Sequence, residues 1–365
     1  MDFTFHADAL ALRDSVGRFL MVEAAPEKLR EVWQTDLGRS PEMRLMMAEQ
    51  GLTAVSVPEA QGGLGLGERE WSLIAQELGY FAIPDSLADT AAVAAGLLGE
   101  LGADHPLHAA WLPRIADGSA RVAVGHPVNP WVADAHLADL LLLAEAGPDG
   151  LAWYALAPAQ VTVGPLASID ASRRLAQVHW QPDPACCFAR GEAARRLADS
   201  VLDRAALIAA AQLVGLAQRM LDLSVDYVAQ RKQFGRPIGS FQAVKHHLAD
   251  VATKIEFARP VLYRAACALA DGSPQCALRV SHAKLAASDA AWSAARKGIQ
   301  VHGAMGYTWE VDLQMFMKRA WGLDAAWGDR AFHKARLADG LLADESTTTA
   351  AGRLGPGCTF DQGGL

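Results

Sequence analysis

The residues best suited to chemistry lie in one run, Arg231-Lys-Gln-Phe-Gly-Arg-Pro-Ile-Gly-Ser-Phe-Gln242, which sets a guanidinium, an aromatic face and a tight turn directly ahead of an apolar helical pattern. Arginine offers a rigid donor fork that matches a phosphate, and Phe234 offers a flat ring on which an adenine can stack. Gly235 and the Pro237/Gly239 pair break the preceding helix, and Ser240 stands where the next helix wants a cap. The free N–H groups and positive end of that helix favour a diphosphate. The competing reading is a plain helix-turn-helix corner with Phe234 in the core and Arg231 solvated. A second run, Gln300-Val-His-Gly-Ala-Met-Gly-Tyr-Thr-Trp-Glu310, follows a long helical stretch. Its Gly303, Ala304 and Gly306 fall where a backbone turns sharply or comes close to another group.

The elements that must position these runs follow from hydrophobic periodicity. Residues 1–119 carry helical spacing, for instance at 7–20, 41–50, 68–78 and 88–101. From 120 to 188 the pattern changes to short apolar or alternating runs at 121–124, 140–143, 151–156, 161–163 and 176–180, separated by Gly-Pro and Asp-Gly turns. From 189 to 345 it is helical again and alanine-rich, with four long helices predicted at about 191–230, 241–271, 275–300 and 310–343. Short connections such as Asp271-Gly-Ser-Pro274 suit a bundle. Residues 346–365, rich in Gly and Thr, read as a disordered tail. The predicted class is α+β: an N-terminal all-α domain, a small middle β-domain and a C-terminal four-helix bundle.

Composition narrows the partners. With 365 residues, 51% of them hydrophobic, the chain can bury a large core over two or three domains. A net charge of −8 argues against nucleic acid or an anionic membrane as the main partner. Of the five cysteines, Cys186 and Cys187 are adjacent, and no Cys-x-x-Cys or Cys/His cluster occurs, so neither a disulfide framework nor a metal site is expected. The start, Met1-Asp-Phe-Thr-Phe-His, lacks the basic and apolar parts of a signal peptide, and the longest apolar window, around 205–217, reads as too short for a bilayer. The expectation is a reducing, cytoplasmic compartment.

Taken in order, the two runs together with Val57-Pro-Glu-Ala-Gln-Gly-Gly-Leu-Gly65, Glu77-Leu-Gly79, Ile169-Asp-Ala-Ser-Arg-Arg-Leu-Ala176 and Gly215-Leu-Ala-Gln218 closely resemble the acyl-CoA dehydrogenase family of flavoproteins over nearly the whole chain. The resemblance implies FAD at a subunit interface, its ring against the β-domain of one subunit and its adenosine diphosphate on the bundle of the neighbour. Arg231, Gln233, Phe234, Ile238, Phe241, Gln242 and Val244 fall on the family's flavin-contacting segment. Gln300, Gly303 and Ala304 fall on the segment that meets pyrophosphate and ribose, with Ala304 in place of a glycine. An acyl-CoA substrate, an oligomeric assembly and electron-transfer flavoprotein as electron acceptor are implied as well.

The family's reaction needs a carboxylate that removes the α-proton of an acyl thioester. Both positions from which it comes are vacant here: the matching residues are Gly328, within Trp327-Gly-Asp-Arg330, and Ala205, followed by Ala206. Asp203 matches an aspartate that contacts acyl-CoA in relatives. The family's ring-holding loop and strand are also missing between Ala123 and Asp139, where Asn129-Pro130 removes a ladder donor. Three readings follow. The chain is a subunit of a heteromeric enzyme, resembling bacterial enzymes for bulky steroid-CoA side chains, with a homologous partner supplying base and ring pocket. Alternatively it is a homomeric dehydrogenase using Asp203, Glu310, Asp312 or Asp324 as base, or a non-catalytic CoA-ester binder. Glu310 and Asp312 point roughly 200° apart on a helix and cannot share a site.

Overall fold

The computed structural model describes residues 4–148 and 150–342; the tail predicted at 346–365 lies outside them. Six helices form the N-terminal part: α1 (Ala7–Glu23), α2 (Pro26–Gln34), α3 (Pro41–Glu49), α4 (Glu68–Tyr80), α5 (Ala95–Glu100) and α6 (Pro106–Ala116). Local chemistry sets their starts. Ser40 accepts from the Met43 N–H with Pro41 in the first turn of α3, and Glu70 reaches back 3.0 Å to the Gly67 N–H ahead of α4. A π-helical turn, Asp89–Ala94, leads into α5.

The middle part has strands β1 (Val122–Gly125), β2 (Val132–Ala133), β3 (Leu140–Gly147), β4 (Gly150–Leu156), β5 (Thr162–Leu166), β6 (Leu175–His179) and β7 (Cys187–Arg190). One sheet has the order β1-β3-β4-β7, with β1 parallel to β3 and the other pairs antiparallel. The other, β2-β6-β5, is antiparallel throughout. β2 and β7 were not expected from sequence, because neither short strand shows an alternating apolar run. Trp153, fully buried, donates its indole N–H to Ala194 O at 3.1 Å and so ties β4 to the following helix.

The C-terminal part comprises α7 (Gly191–Gln230), a hairpin of β8 (Lys232–Gln233) and β9 (Arg236–Pro237), α8 (Gln242–Ala270), α9 (Cys276–His302), α10 (Leu313–Ala325) and α11 (Arg330–Leu342). The fourth predicted helix is therefore two, broken at a turn where Trp327 (φ 56°) and Gly328 (φ 94°) are both left-handed. α7 is buried almost continuously from Ala205 to Ala217. By length and composition it could cross a bilayer, which corrects the reading of the window at 205–217, yet 83% of its most apolar window is buried in protein, so it is the central core helix. It crosses α4 backbone to backbone. A Cβ on Gly215 would lie 1.9 Å from Gln76 O, and one on Gly79 2.1 Å from Gln212 O, so two of the sequence motifs mark one helix crossing.

Candidate functional site: an exposed hairpin and a filled cleft

The first run of the sequence forms a projecting arm. Arg231 caps α7 in extended conformation and is exposed, and its guanidinium makes no ion pair or hydrogen bond among the described residues. Lys232 pairs with Pro237 and Gln233 with Arg236, leaving Phe234 and Gly235 as the two turn residues at φ 52° and 78°. Two left-handed residues are what a tight two-residue hairpin demands, and a phenylalanine fills that role at a cost glycine avoids. Phe234 is nevertheless 91% exposed, held only edge-on to Phe241 at 6.1 Å, while Arg236 lies over the Phe241 ring at 4.2 Å. The core placement of Phe234 is thus excluded. Ser240 does not cap α8: its hydroxyl donates to Pro237 O, and Phe241 occupies the cap position.

The second run meets the first in space. Ile238 and Val244 pack with Val228, Leu248 and Val301, and Tyr227 stacks on His302 at 4.2 Å and donates to its carbonyl. Gln233, Gln242, Gln300, Gly303 and Ala304 are exposed around this joint, and Phe241 is half-buried. Gly303, at φ 62°, ends α9; Ala304 has no left-handed backbone, so its replacement of a glycine carries no strain. His302 is buried against Gly298 O and stays neutral, because burial holds its pKa down. Tyr307 and Trp309 stand out beside the joint, 72% and 73% exposed.

The cleft where the three parts converge is filled with paired charges. Arg39 grips Asp134 through two nitrogens, Nε at 2.8 Å, and donates to Ser172 O at 2.8 Å. Asp85 takes Arg44 at 2.7 Å and Arg121 at 2.9 Å. Arg319 pairs with Asp170, bonds the Ser172 hydroxyl and donates to Ile83 O at 2.6 Å, and Arg173 donates to Gly322 O at 2.9 Å. Burial raises the pKa of Asp85 and Asp170, but their arginines outweigh it and hold both below the ordinary carboxylate range. Only about 50 Å3 of cavity remains, lined by Ala205, Ala209, Trp327 and these side chains. A small-molecule site measures roughly 300–1,000 Å3.

One carboxylate that the sequence reading missed faces this cavity. Asp89, at the start of the π-turn, forms no hydrogen bond or ion pair among the described residues. Burial, reinforced by Asp134 and Asp85 and opposed by Arg173, pushes its pKa up to about 6. No periodicity reveals such a residue; a π-turn is invisible in a helical pattern.

The two vacant base positions border the cleft differently. Ala205 lines the cavity directly. Gly328 sits in the Trp327 turn, and a Cβ there would lie 2.4 Å from Phe332 and 2.8 Å from His333. Three buried side chains clamp that turn. Asn129 Oδ1 accepts from Trp327 N at 3.1 Å, His333 Nε2 meets Trp327 O at 3.0 Å, and Lys284 donates to Asp324 O at 2.9 Å and Gly328 O at 3.2 Å. Burial brings Lys284 down to about 8 and His333 to about 4. His126, between the Trp153 and Trp327 rings, is likewise lowered to about 4 by burial.

The other carboxylates weighed as bases are engaged or remote. Asp203 is buried and paired with Arg336, and also receives the Cys276 thiol at 3.6 Å. Asp312 pairs with Arg30, Asp324 with Arg330, and Glu310 is exposed. None of the four lines the cavity beside Ala205.

The sequence matches the acyl-CoA dehydrogenase N-terminal domain over residues 6–119 and the acyl-CoA dehydrogenase C-terminal domain over residues 195–342. The chain belongs to the acyl-CoA dehydrogenase family, FAD-dependent oxidoreductases that act on acyl-CoA. It is 34% identical over 313 residues to acyl-CoA dehydrogenase IpdE2 of Mycobacterium tuberculosis, covering 85% of this chain and 90% of that protein. It is 33% identical over 292 residues to FadE34 of the same organism, covering 76% of this chain and 39% of that protein. Among solved structures, the steroid acyl-CoA dehydrogenase Tcur3481-Tcur3483, as its G363A variant, superposes with a TM-score of 0.83 at 25% identity, covering 94% of this chain and 99% of that one. The ChsE4-ChsE5 complex from Mycobacterium tuberculosis gives 0.82 at 23%, with the same coverage.

The residues present fit the family's cofactor in part. The arm offers an unpaired guanidinium and an exposed ring directly ahead of the α8 N-terminus, a set suited to adenosine diphosphate. The cleft does not have the volume for the flavin ring.

Proposed function

We propose that this chain is one subunit of a heteromeric acyl-CoA dehydrogenase that desaturates a bulky, steroid-like acyl-CoA thioester between the α- and β-carbons. The filled cleft carries this reading: where one chain would house both ring and base, ion pairs leave about 50 Å3 and alanine and glycine stand at the base positions. The likeness to heteromeric and steroid-acting relatives supports it. Bound FAD would supply the acceptor for a hydride from the β-carbon. This chain's residues would position it from the far end: Arg231 on the diphosphate, Phe234 and Phe241 against the adenine, and Gln233, Ile238, Gln242, Val244, Gln300, Gly303 and Ala304 around it. A homologous partner supplies the ring pocket and the carboxylate that accepts the α-proton, and electron-transfer flavoprotein accepts the electrons.

The test is Arg231→Ala in the complex with its partner. A charge-assisted fork to a diphosphate contributes roughly 1.5–3 kcal/mol, so the variant should bind FAD about tenfold to a hundredfold more weakly. Unchanged flavin content sinks the assignment. A CoA-ester-binding role has one observation in its favour, a surface pocket of about 540 Å3 lined by Arg195, Leu202, Phe332 and Arg336, the last paired with Asp203.

A further inference from the structure

Cys186 and Cys187 are neighbours in the sequence of the β-domain. Cys186 ends the 3-10 turn Pro184–Cys186, and Cys187, extended at φ −80° and ψ 122°, opens β7 opposite Tyr154. Successive side chains on a strand point to opposite faces. The helical turn at Cys186 breaks that alternation, and both cysteines, half-buried, pack against the same apolar cluster, which contains Tyr154 and carries Trp180 on its flank. Two adjacent thiols therefore share one patch of this domain.

Their hydrogen bonds differ. Gln160 Oε1 accepts from the Ala157 N–H at 2.8 Å, which fixes the amide and aims its Nε2 at Cys186 Sγ, 3.2 Å away. The Cys186 sulfur is thus an acceptor, the arrangement that holds a thiolate. Cys187 donates its thiol proton to Ala189 O at 3.5 Å. Cys276 is the opposite case, because its thiol donates to Asp203 at 3.6 Å, and burial, reinforced by that carboxylate, raises its pKa. A surface cavity of about 720 Å3 opens beside the turn, lined by Gln160, Trp180 and Asp183, whose carbonyl accepts from the Cys186 N–H at 2.9 Å. The residues that hold Cys186 therefore border space for a small reactant.

We propose that Cys186 and Cys187 form a reversible thiol/disulfide site that reduces a hydroperoxide. The Cys186 thiolate attacks one peroxide oxygen: the S–O bond forms, the O–O bond breaks, and the other oxygen takes a proton and leaves as water or an alcohol. The resulting sulfenic acid is then attacked by Cys187. An S–S bond forms, the S–O bond breaks, and the second oxygen leaves as water with the Cys187 proton. The two thiols are oxidised by the two electrons that the peroxide gains. Neighbouring Cα atoms are about 3.8 Å apart, short of the roughly 4.4–6.8 Å that a disulfide ordinarily spans, so the closed form is strained and readily reduced, as a reversible site requires.

The test is treatment of the reduced full chain with hydrogen peroxide, followed by alkylation, proteolysis and mass spectrometry. The peptide that holds both cysteines should lose two hydrogen atoms, resist alkylation, and recover both thiols in dithiothreitol. In Cys187→Ser the sulfenic acid of Cys186 has no resolving thiol and should be trapped by dimedone. The thiol left in Cys186→Ser should oxidise at least about tenfold more slowly than that. Gln160→Glu keeps the acceptor for the Ala157 N–H but sets a carboxylate against the sulfur, and should slow disulfide formation about tenfold. A peptide that stays fully alkylated after peroxide, or that passes to sulfinic acid without closing, overturns the proposal. Equal oxidation rates in the two serine variants, or an unchanged rate in Gln160→Glu, overturn it as well, because Cys186 is then not the attacking thiol.

Discussion

The hairpin at 231–237 and the cleft between the three parts contain the same kinds of side chain and use them in opposite ways. In the cleft each arginine has an acceptor: Arg39 on Asp134, Arg44 and Arg121 on Asp85, Arg319 on Asp170, Arg173 on a helix carbonyl. In the hairpin Arg231 has none, and Phe234 is exposed on a left-handed backbone. Charges that satisfy each other are unavailable to a ligand, while a solvated guanidinium beside an exposed ring on a left-handed backbone is free to meet one. On the proposed reading, the difference assigns the cofactor to the surface joint, shared with another subunit, and not to this chain's own cleft.

The comparison breaks first if the cleft is not structural. Arg39→Ala leaves Asp134 buried without its partner, and removing one member of a buried pair costs about 3–5 kcal/mol. Urea denaturation of the isolated chain should show a loss of that size, and a loss below about 1 kcal/mol would mean that the network is incidental.

A smaller effect comes from Asp89. Its folded pKa of about 6 lies above the ordinary carboxylate value, so the folded state binds the proton more tightly and is penalised once the group must ionise. Asp89→Asn should therefore stabilise the chain above pH 6, by on the order of 2 kcal/mol, and the advantage should fade as pH drops toward 4. Denaturation midpoints across that range check the sign; a variant that is less stable at pH 7 would show that Asp89 is paired in solution.

The smallest effect sharpens the other side. Phe234→Gly relieves a left-handed phenylalanine and should stabilise the isolated chain by about 1 kcal/mol in thermal denaturation. The same change should weaken FAD retention in the complex by removing the ring. If stability and flavin retention fall together, Phe234 is a core residue of the chain and not a contact for another molecule.

Much of the proposed surface half-site could be drawn from the sequence because its residues are contiguous: Arg231 to Gln242 and Gln300 to Ala304 each occupy one short run. Helix positions were legible from periodicity, and the joint between the runs follows from Ile238, Val244 and Val301 meeting. The filled cleft was not legible. Arg39, Asp85, Asp134, Asp170 and Arg319 come from five separate segments, and only the Ile169–Ala176 motif, with Asp170, Ser172 and Arg173, hinted at part of it. The break in the last helix was hidden too. Trp327-Gly328 falls inside the helix predicted at about 310–343, and its left-handed turn is held by Asn129, Lys284 and His333 from elsewhere in the fold.

The most direct measurement of the central claim is the flavin content of this chain purified alone, read by visible absorbance and followed by anaerobic addition of acyl-CoA. A chain whose own cleft is filled should carry no FAD, and flavin bleaching by substrate should appear only after the partner subunit is added. Stoichiometric FAD on the isolated chain, reduced by acyl-CoA without a partner, would contradict the account and place ring and base in this subunit.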